Sequence, residues 1–155
     1  MRIIIMLAMI LSWNSVAYAA NPSIKIKWKY YDISGSTKRE LLKQLKRKGP
    51  NGYWAYSKWS IQPGSACRVK LKLDYTMPRW KNRKGASKKL QKSWNKMIIN
   101  LKRHEEGHGN FAIKAAKHLT SVKCKGAKEV YRNLKKQNKD YDRKTRHGIR
   151  QGVKF

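Results

Sequence analysis

Apolar and basic residues alternate at the start of the chain: Ile24, Ile26, Trp28 and Tyr30 are separated by Lys25, Lys27 and Lys29. A period of two sends successive side chains to opposite faces of a pleated strand, so this segment reads as a half-buried strand with one basic face. The same period returns at Cys67, Val69, Leu71, Leu73 and Tyr75, and this is the clearest strand in the sequence. Between them, Tyr53 to Gln62 is aromatic and β-branched enough for a third strand. Its alternation slips between Tyr56 and Trp59, which a bulge would repair.

The helical segments have a longer period. Thr37 with Glu40 has the form of a capping box, and Leu41, Leu42 and Leu45 follow it towards a core; Gly49-Pro50-Asn51-Gly52 ends the helix. After Met77-Pro78-Arg79-Trp80 and a basic turn, Ser87 is a plausible N-cap for a long helix. Leu90, Trp94, Met97, Leu101, His104, His108, Phe111, Ala115 and Leu119 then recur at three-to-four spacing to about Val122. A third helix is expected over about Ala127 to Asn138 on Val130, Tyr131 and Leu134, followed by an irregular Gly-rich end. These elements imply an α+β fold, a small and mostly antiparallel sheet packed on helices.

Candidate chemistry concentrates on the buried stripe of the long helix. His104-Glu105-Glu106-Gly107-His108 is H-E-x-x-H. Two histidines one turn apart present both imidazoles to one metal ion, and Glu105 stands beside that ion as a base for a water molecule. The competing reading is a pair of neutral core histidines satisfied by hydrogen bonds. Glu106 reads as solvent-facing. Gly107 and Gly109 each weaken a helix interior by roughly 1 kcal/mol relative to Ala, so a close approach by substrate or by a facing segment is expected there.

Composition changes the picture in two ways. With 38 Lys and Arg against 8 Asp and Glu, the formal charge is +30, and such an excess favours anionic partners. The lysines are spread through the chain without a nucleic-acid fingerprint, so a solvated surface is the plain reading, retention on anionic cell-envelope polymers is the next, and no specific nucleic acid is expected. Second, residues 3–11 form a short apolar run followed by Ala17-Tyr18-Ala19, the small-x-small form of a leader cleavage site. Residues 1–19 are therefore read as a signal peptide and 20–155 as one domain, periplasmic or secreted, with no stable membrane span after cleavage; an uncleaved anchor is the competing reading. In an oxidising compartment, the even pair Cys67 and Cys124 suggests a disulfide closing a long loop around the H-E-x-x-H helix.

Beyond the box, Tyr31-Asp32-Ile33 with Ser34-Gly35, Trp54-Ala55-Tyr56, Trp59, Cys67, Pro78 with Trp80, Tyr141-Asp142 with Thr145, His147-Gly148 and Gln151-Gly152 complete a pattern. With these residues the chain resembles a bacterial family of predicted secreted zinc-dependent proteases, long described as of unknown function. The resemblance implies a zincin-like α+β core, export, and hydrolysis of peptide bonds in a protein or peptide substrate. The zinc would be held by His104 and His108, with Glu105 as the catalytic base. A catalytic zinc usually has three protein ligands, and the candidates for the third are His118, His147 and Glu129. His118 lies roughly 15 Å along the helix from His108, too far to share a metal. His147, in a Gly-flanked loop that can return to the site, is the preferred third ligand, with Tyr141 and Asp142 as supporting groups. Two other functions fit the sequence: a basic envelope-binding protein with a structural zinc, and a zinc-dependent peptidoglycan amidase.

Overall fold

A computed structural model describes residues 21–155, so the expected leader lies outside the described residues. The chain runs through strand β1 (Ser23–Ile33), helix α1 (Lys38–Lys48), strands β2 (Tyr56–Pro63) and β3 (Val69–Trp80), and helices α2 (Lys88–Ser121) and α3 (Ala127–Thr145). A single 3-10 turn, Ile149–Gln151, follows α3. Both anticipated caps form: the Thr37 hydroxyl accepts from the Glu40 amide while the Glu40 carboxylate accepts from that of Thr37, and the Ser87 hydroxyl accepts from the Leu90 amide.

The three strands form one sheet in the order β1-β3-β2. β2 is antiparallel to β3, but β1 is parallel to it, so the sheet is mixed rather than mostly antiparallel. Alternation of side chains is identical in parallel and antiparallel strands, so periodicity carries no direction. Direction is set by connection: α1 and β2 intervene between β1 and β3, a path long enough for a parallel return. In register across the sheet, Ile24, Leu71 and Ile61 share a row, as do Ile26, Leu73 and Trp59, and Trp28, Tyr75 and Ser57. These rows form the face that meets the helices.

Three boundaries differ from the sequence reading. β2 starts at Tyr56 with unbroken pairing, so no bulge is needed; Tyr53 and Trp54 precede the strand, and Ser57 takes the inward position. β3 continues through Met77-Pro78-Arg79-Trp80, where a turn was expected. β2 pairs only as far as Thr76, and beyond it Pro78 sits where β3 has a free side and a missing N–H breaks no ladder on that edge. Finally, α3 runs to Thr145, because its later turns bury polar side chains against α2 rather than apolar ones.

Two apolar clusters hold these elements together. One joins Ile33, Met77 and Trp80 to Leu41 and Leu45 of α1 and to Trp94, Met97 and Leu101 of α2. The other joins Leu71, Leu73 and Tyr75 to Ala112, Ala116 and Leu119 of α2 and Leu134 of α3. Fully burying a side chain such as Leu73 stabilises by about 1.5–3 kcal/mol relative to leaving it exposed. α2, roughly 50 Å long by its residue count, crosses both clusters, and His104 and His108 fall between them. The residues of the family-like pattern tie this frame together: Tyr31 donates to the Trp54 carbonyl, Trp80 Nε1 to the Gly35 carbonyl, and Arg79 makes a two-pronged contact with Asp32.

Cys67 and Cys124 form the anticipated disulfide, with Cα atoms 5.6 Å apart and a separation of 57 residues. It fastens the entry of β3 to the turn between α2 and α3. Closing a loop of that size in the unfolded chain corresponds to about 4 kcal/mol of stabilisation. Replacing both cysteines by Ala should therefore lower the unfolding free energy by about that amount in urea titration. Thiol titration of the unreduced, unfolded protein should find no free sulfhydryl.

Candidate metal centre

α2 and α3 pack as an antiparallel hairpin, and the site is built on their facing sides. His104 and His108 are 3% and 8% exposed, which a 3.6-residue repeat achieves by continuing the stripe of Leu101 and Trp94. Opposite them, Asn138 and Asp142 occupy successive turns of α3, with Tyr141 next to Asp142. His108 Nε2 lies 3.0 Å from Asp142 Oδ1, and His104 Nε2 lies 3.2 Å from the same oxygen.

The outer nitrogens of both rings are engaged by amides. His108 Nδ1 is 2.6 Å from Asn138 Oδ1, and the Asn138 amide nitrogen donates to the Leu134 carbonyl. That second bond fixes the amide orientation, so His108 Nδ1–H must be the donor and Nε2 faces Asp142. His104 Nδ1 lies 2.8 Å from Gln151 Oε1, while Gln151 Nε2 donates to the Tyr141 hydroxyl. The Tyr141 ring stacks on His104 with centroids 5.0 Å apart. With both rings neutral, two imidazole lone pairs and one carboxylate oxygen converge on the same small volume. Such an arrangement is repulsive unless a proton or a cation lies among them.

The donor set fits a divalent transition metal: the candidate ligand atoms of His104, His108 and Asp142 all lie within 4.8 Å of one another. Two imidazoles and a carboxylate suit zinc, and hydrogen-bonded outer nitrogens are the usual companions of metal-bound histidines. His147 does not join this group. It is exposed, with Nδ1 3.6 Å from Asp142 Oδ1 and its ring against Tyr53, so it flanks the carboxylate that occupies the place expected for it. His118 is exposed at the end of α2, and Glu129 is exposed at the start of α3, paired with Arg132. Glu106 faces solvent in part and pairs with Lys102 at 3.7 Å.

Glu105 is 5% exposed yet lies in the wall of a cleft rather than in the apolar core. The cleft has a volume of about 660 Å³ and is shared by His104, His108, Asp142 and His147 with Tyr53, Trp54, Tyr56, Trp59 and Phe155. Burial pushes the Glu105 carboxyl above its ordinary range, against the opposing pull of His108, His104 and a hydrogen bond with Ser57. Ser57 comes from β2 and lines the same cleft as this carboxylate. For Asp142, burial also raises the pKa, but hydrogen bonds with His104 and His108 and the charges of His108 and His147 outweigh it and hold the carboxyl well below its usual range. Burial disfavours charge on His108, but its bonds to Asp142 and Asn138 and the charges of Asp142 and Glu105 prevail and raise its pKa.

The two glycines have a packing explanation. A Cβ at Gly107 would sit 2.6 Å from Tyr141 Cζ, and one at Gly109 would sit 2.8 Å from Tyr75 Cζ. Both rings therefore lie against bare helix backbone, Tyr141 from α3 and Tyr75 from β3. The close approach comes from side chains of this chain, not from a facing backbone.

Asn138, Ser57 and the bridging place of Asp142 were not legible in the sequence. The apolar repeat of α3 ends at Leu134, and only extension of the helix puts Asn138 and Asp142 four apart on one face.

Fold and site together define a class: a small α+β domain whose long helix carries H-E-x-x-H and whose next helix completes a His-His-Asp group. The chain belongs to a bacterial family of proteins of unknown function (DUF922), which matches residues 28–148. The matched span includes the three grouped residues, Glu105 and His147, and stops short of Gln151. No curated protein and no solved structure matches the chain.

Two outcomes test this geometry. Gly107→Ala should destabilise by about 1–3 kcal/mol through overpacking against Tyr141, measured by urea unfolding. In the presence of a chelator, the raised His108 pKa means that its stabilisation is fully present below its ordinary value of 6.5 and is lost as pH rises through the folded value. The depressed Asp142 pKa acts in the other direction, and its contribution is lost only as pH falls below its ordinary 3.8. Unfolding free energy should therefore decrease as pH rises from 6.5 through the raised His108 value, with a smaller slope in Asp142→Asn. Added zinc should reverse the trend, since ligation needs unprotonated imidazoles.

Proposed function

We propose that the protein is an exported zinc-dependent metallopeptidase with a zincin-like catalytic core, in which His104, His108 and Asp142 hold the metal. The observation that carries this reading is the convergence of three lone-pair donors beside a buried carboxylate, Glu105, in the wall of an open cleft. A core histidine pair would need neither the carboxylate nor the cleft. The disulfide supports an oxidising compartment, and among the described residues no helix is long and apolar enough to cross a membrane.

Zinc at such a site supplies Lewis acidity, polarising a scissile carbonyl and making water more acidic. The remaining work belongs to the chain. Glu105 takes a proton from the attacking water and returns it to the departing amine nitrogen, a shuttle worth about 10²–10⁴-fold in rate. Gln151 and Asn138 hold the imidazoles in the tautomer that leaves Nε2 free, and Tyr141 fixes the plane of His104. Trp54, Trp59 and Tyr53 offer apolar walls for substrate side chains.

One observation favours a second reading. His147 lies close enough to Asp142 to compete for a fourth coordination position after a small rotation, which would close the site and make the zinc structural. Zinc content and cleavage of a peptide mixture, each with and without chelator, separate the two. On the catalytic reading, Glu105→Gln keeps its zinc and loses at least about a hundred-fold in kcat. Asp142→Ala loses zinc, and His147→Ala retains it. Absence of chelator-sensitive cleavage of casein and of cell-wall sacculi, with stoichiometric zinc, would establish the structural reading instead.

A further inference from the structure

The face of the sheet opposite the helices carries Lys25, Lys27 and Lys29 from β1, Lys70 and Lys72 from β3, and Lys58 from β2. All six are exposed. Register places Lys25 beside Lys72, and Lys27 and Lys58 on either side of Asp74. Lysines thus stand about 6.6 Å apart along a strand, and Lys25 and Lys72 about 4.8 Å apart between strands. Asp74 is the only carboxylate in these rows and is already held by Lys29 at 2.8 Å. Its pKa is lowered, first by that hydrogen bond and then, against slight desolvation, by the charges of Lys29, Lys27 and Lys58.

Like charges directly opposite one another on a sheet are destabilising, so the Lys25–Lys72 pair lacks a folding rationale of its own. The chemistry of the face narrows its partner. In these rows it contains no arginine. Tyr56 at its rim is the only aromatic residue in these rows. Single-stranded nucleic acid is held in grooves with stacking platforms, and discrete phosphates favour the arginine fork. A plane of lysines, each a hydrated point charge, complements a plane of negative headgroups.

We propose that this lysine face docks the protein peripherally on an anionic lipid bilayer. The candidate metal centre lies on the helical side of the sheet and its cleft shares only Tyr56 with the rim of the lysine face, so contact through the lysines leaves His104, His108 and Asp142 on the side away from the bilayer. The contact is electrostatic, without insertion. It weakens steeply with salt, and each lysine removed lowers partitioning about five-fold.

Co-sedimentation of residues 20–155 with vesicles of phosphatidylglycerol and phosphatidylcholine, and with vesicles of phosphatidylcholine alone, tests the proposal. Binding is expected only to the anionic vesicles. The triple variant Lys25→Thr, Lys70→Thr, Lys72→Thr should bind about a hundred-fold more weakly, with its thermal unfolding midpoint unchanged or raised. The control removes the same charge from α1 through Lys38→Gln, Lys43→Gln and Lys46→Gln, all exposed, and should stay within about three-fold of the parent. An equal loss in both variants would show that net charge, not this face, drives binding. Failure to bind the anionic vesicles, or binding of duplex DNA or polyphosphate through the same lysines at lower concentration than vesicles, would overturn the proposal.

Discussion

Three lone-pair donors brought into one small volume are the constraint on which the rest of the structure depends. His104 and His108 are fixed by one helix and Asp142 by the next, and neither helix can shift without undoing the contact. A proton or a cation among them turns mutual repulsion into attraction. Around that point, Asn138 and Gln151 satisfy the outer ring nitrogens, and Tyr141 seals the space between the helices. The bare backbone at Gly107 lets Tyr141 approach, so a residue unfavourable to the helix contributes through packing.

The position of this group relative to the two apolar clusters explains how a small domain can hold polar side chains inside. Leu101 closes one cluster and Ala112 opens the other, leaving the H-E-x-x-H turns at the seam. At the seam, the sheet presents Ser57 rather than another large apolar residue, and Ser57 lines the cleft together with Glu105. Tyr53 and Trp54, just before β2, and Trp59 within it widen the seam into a cleft. The disulfide anchors the distal end of the helix pair, holding α3 in the register that places Asp142 opposite the histidines.

The charge of the chain is organised by the same sheet. Its helical face meets α2 and α3, so its lysines fall on the other side, segregated by the two-residue period of β1 and β3. The basic face and the candidate metal centre thus lie on opposite sides of one thin layer, with Tyr56 at the edge of both. Whatever the lysine face meets need not obstruct the cleft.

Periodicity, caps and motif together determined much of this in the sequence itself. Leu71, Leu73 and Tyr75 announced their strand, Thr37 and Ser87 announced their helices, and His104, Glu105 and His108 named a site through a spacing that any α-helix converts into a shared face. The cysteine pair was legible because only two were present. What the sequence left open depends on contacts between segments distant in the chain. The parallel pairing of β1 with β3 follows from the path of the connection, which alternation does not encode. The extension of α3 to Thr145 depends on polar side chains packing against α2, and polar residues give no periodic apolar signal. Asp142 therefore took its place opposite the histidines only in the tertiary structure, while His147, more conspicuous as a residue type, came to rest beside it at the surface.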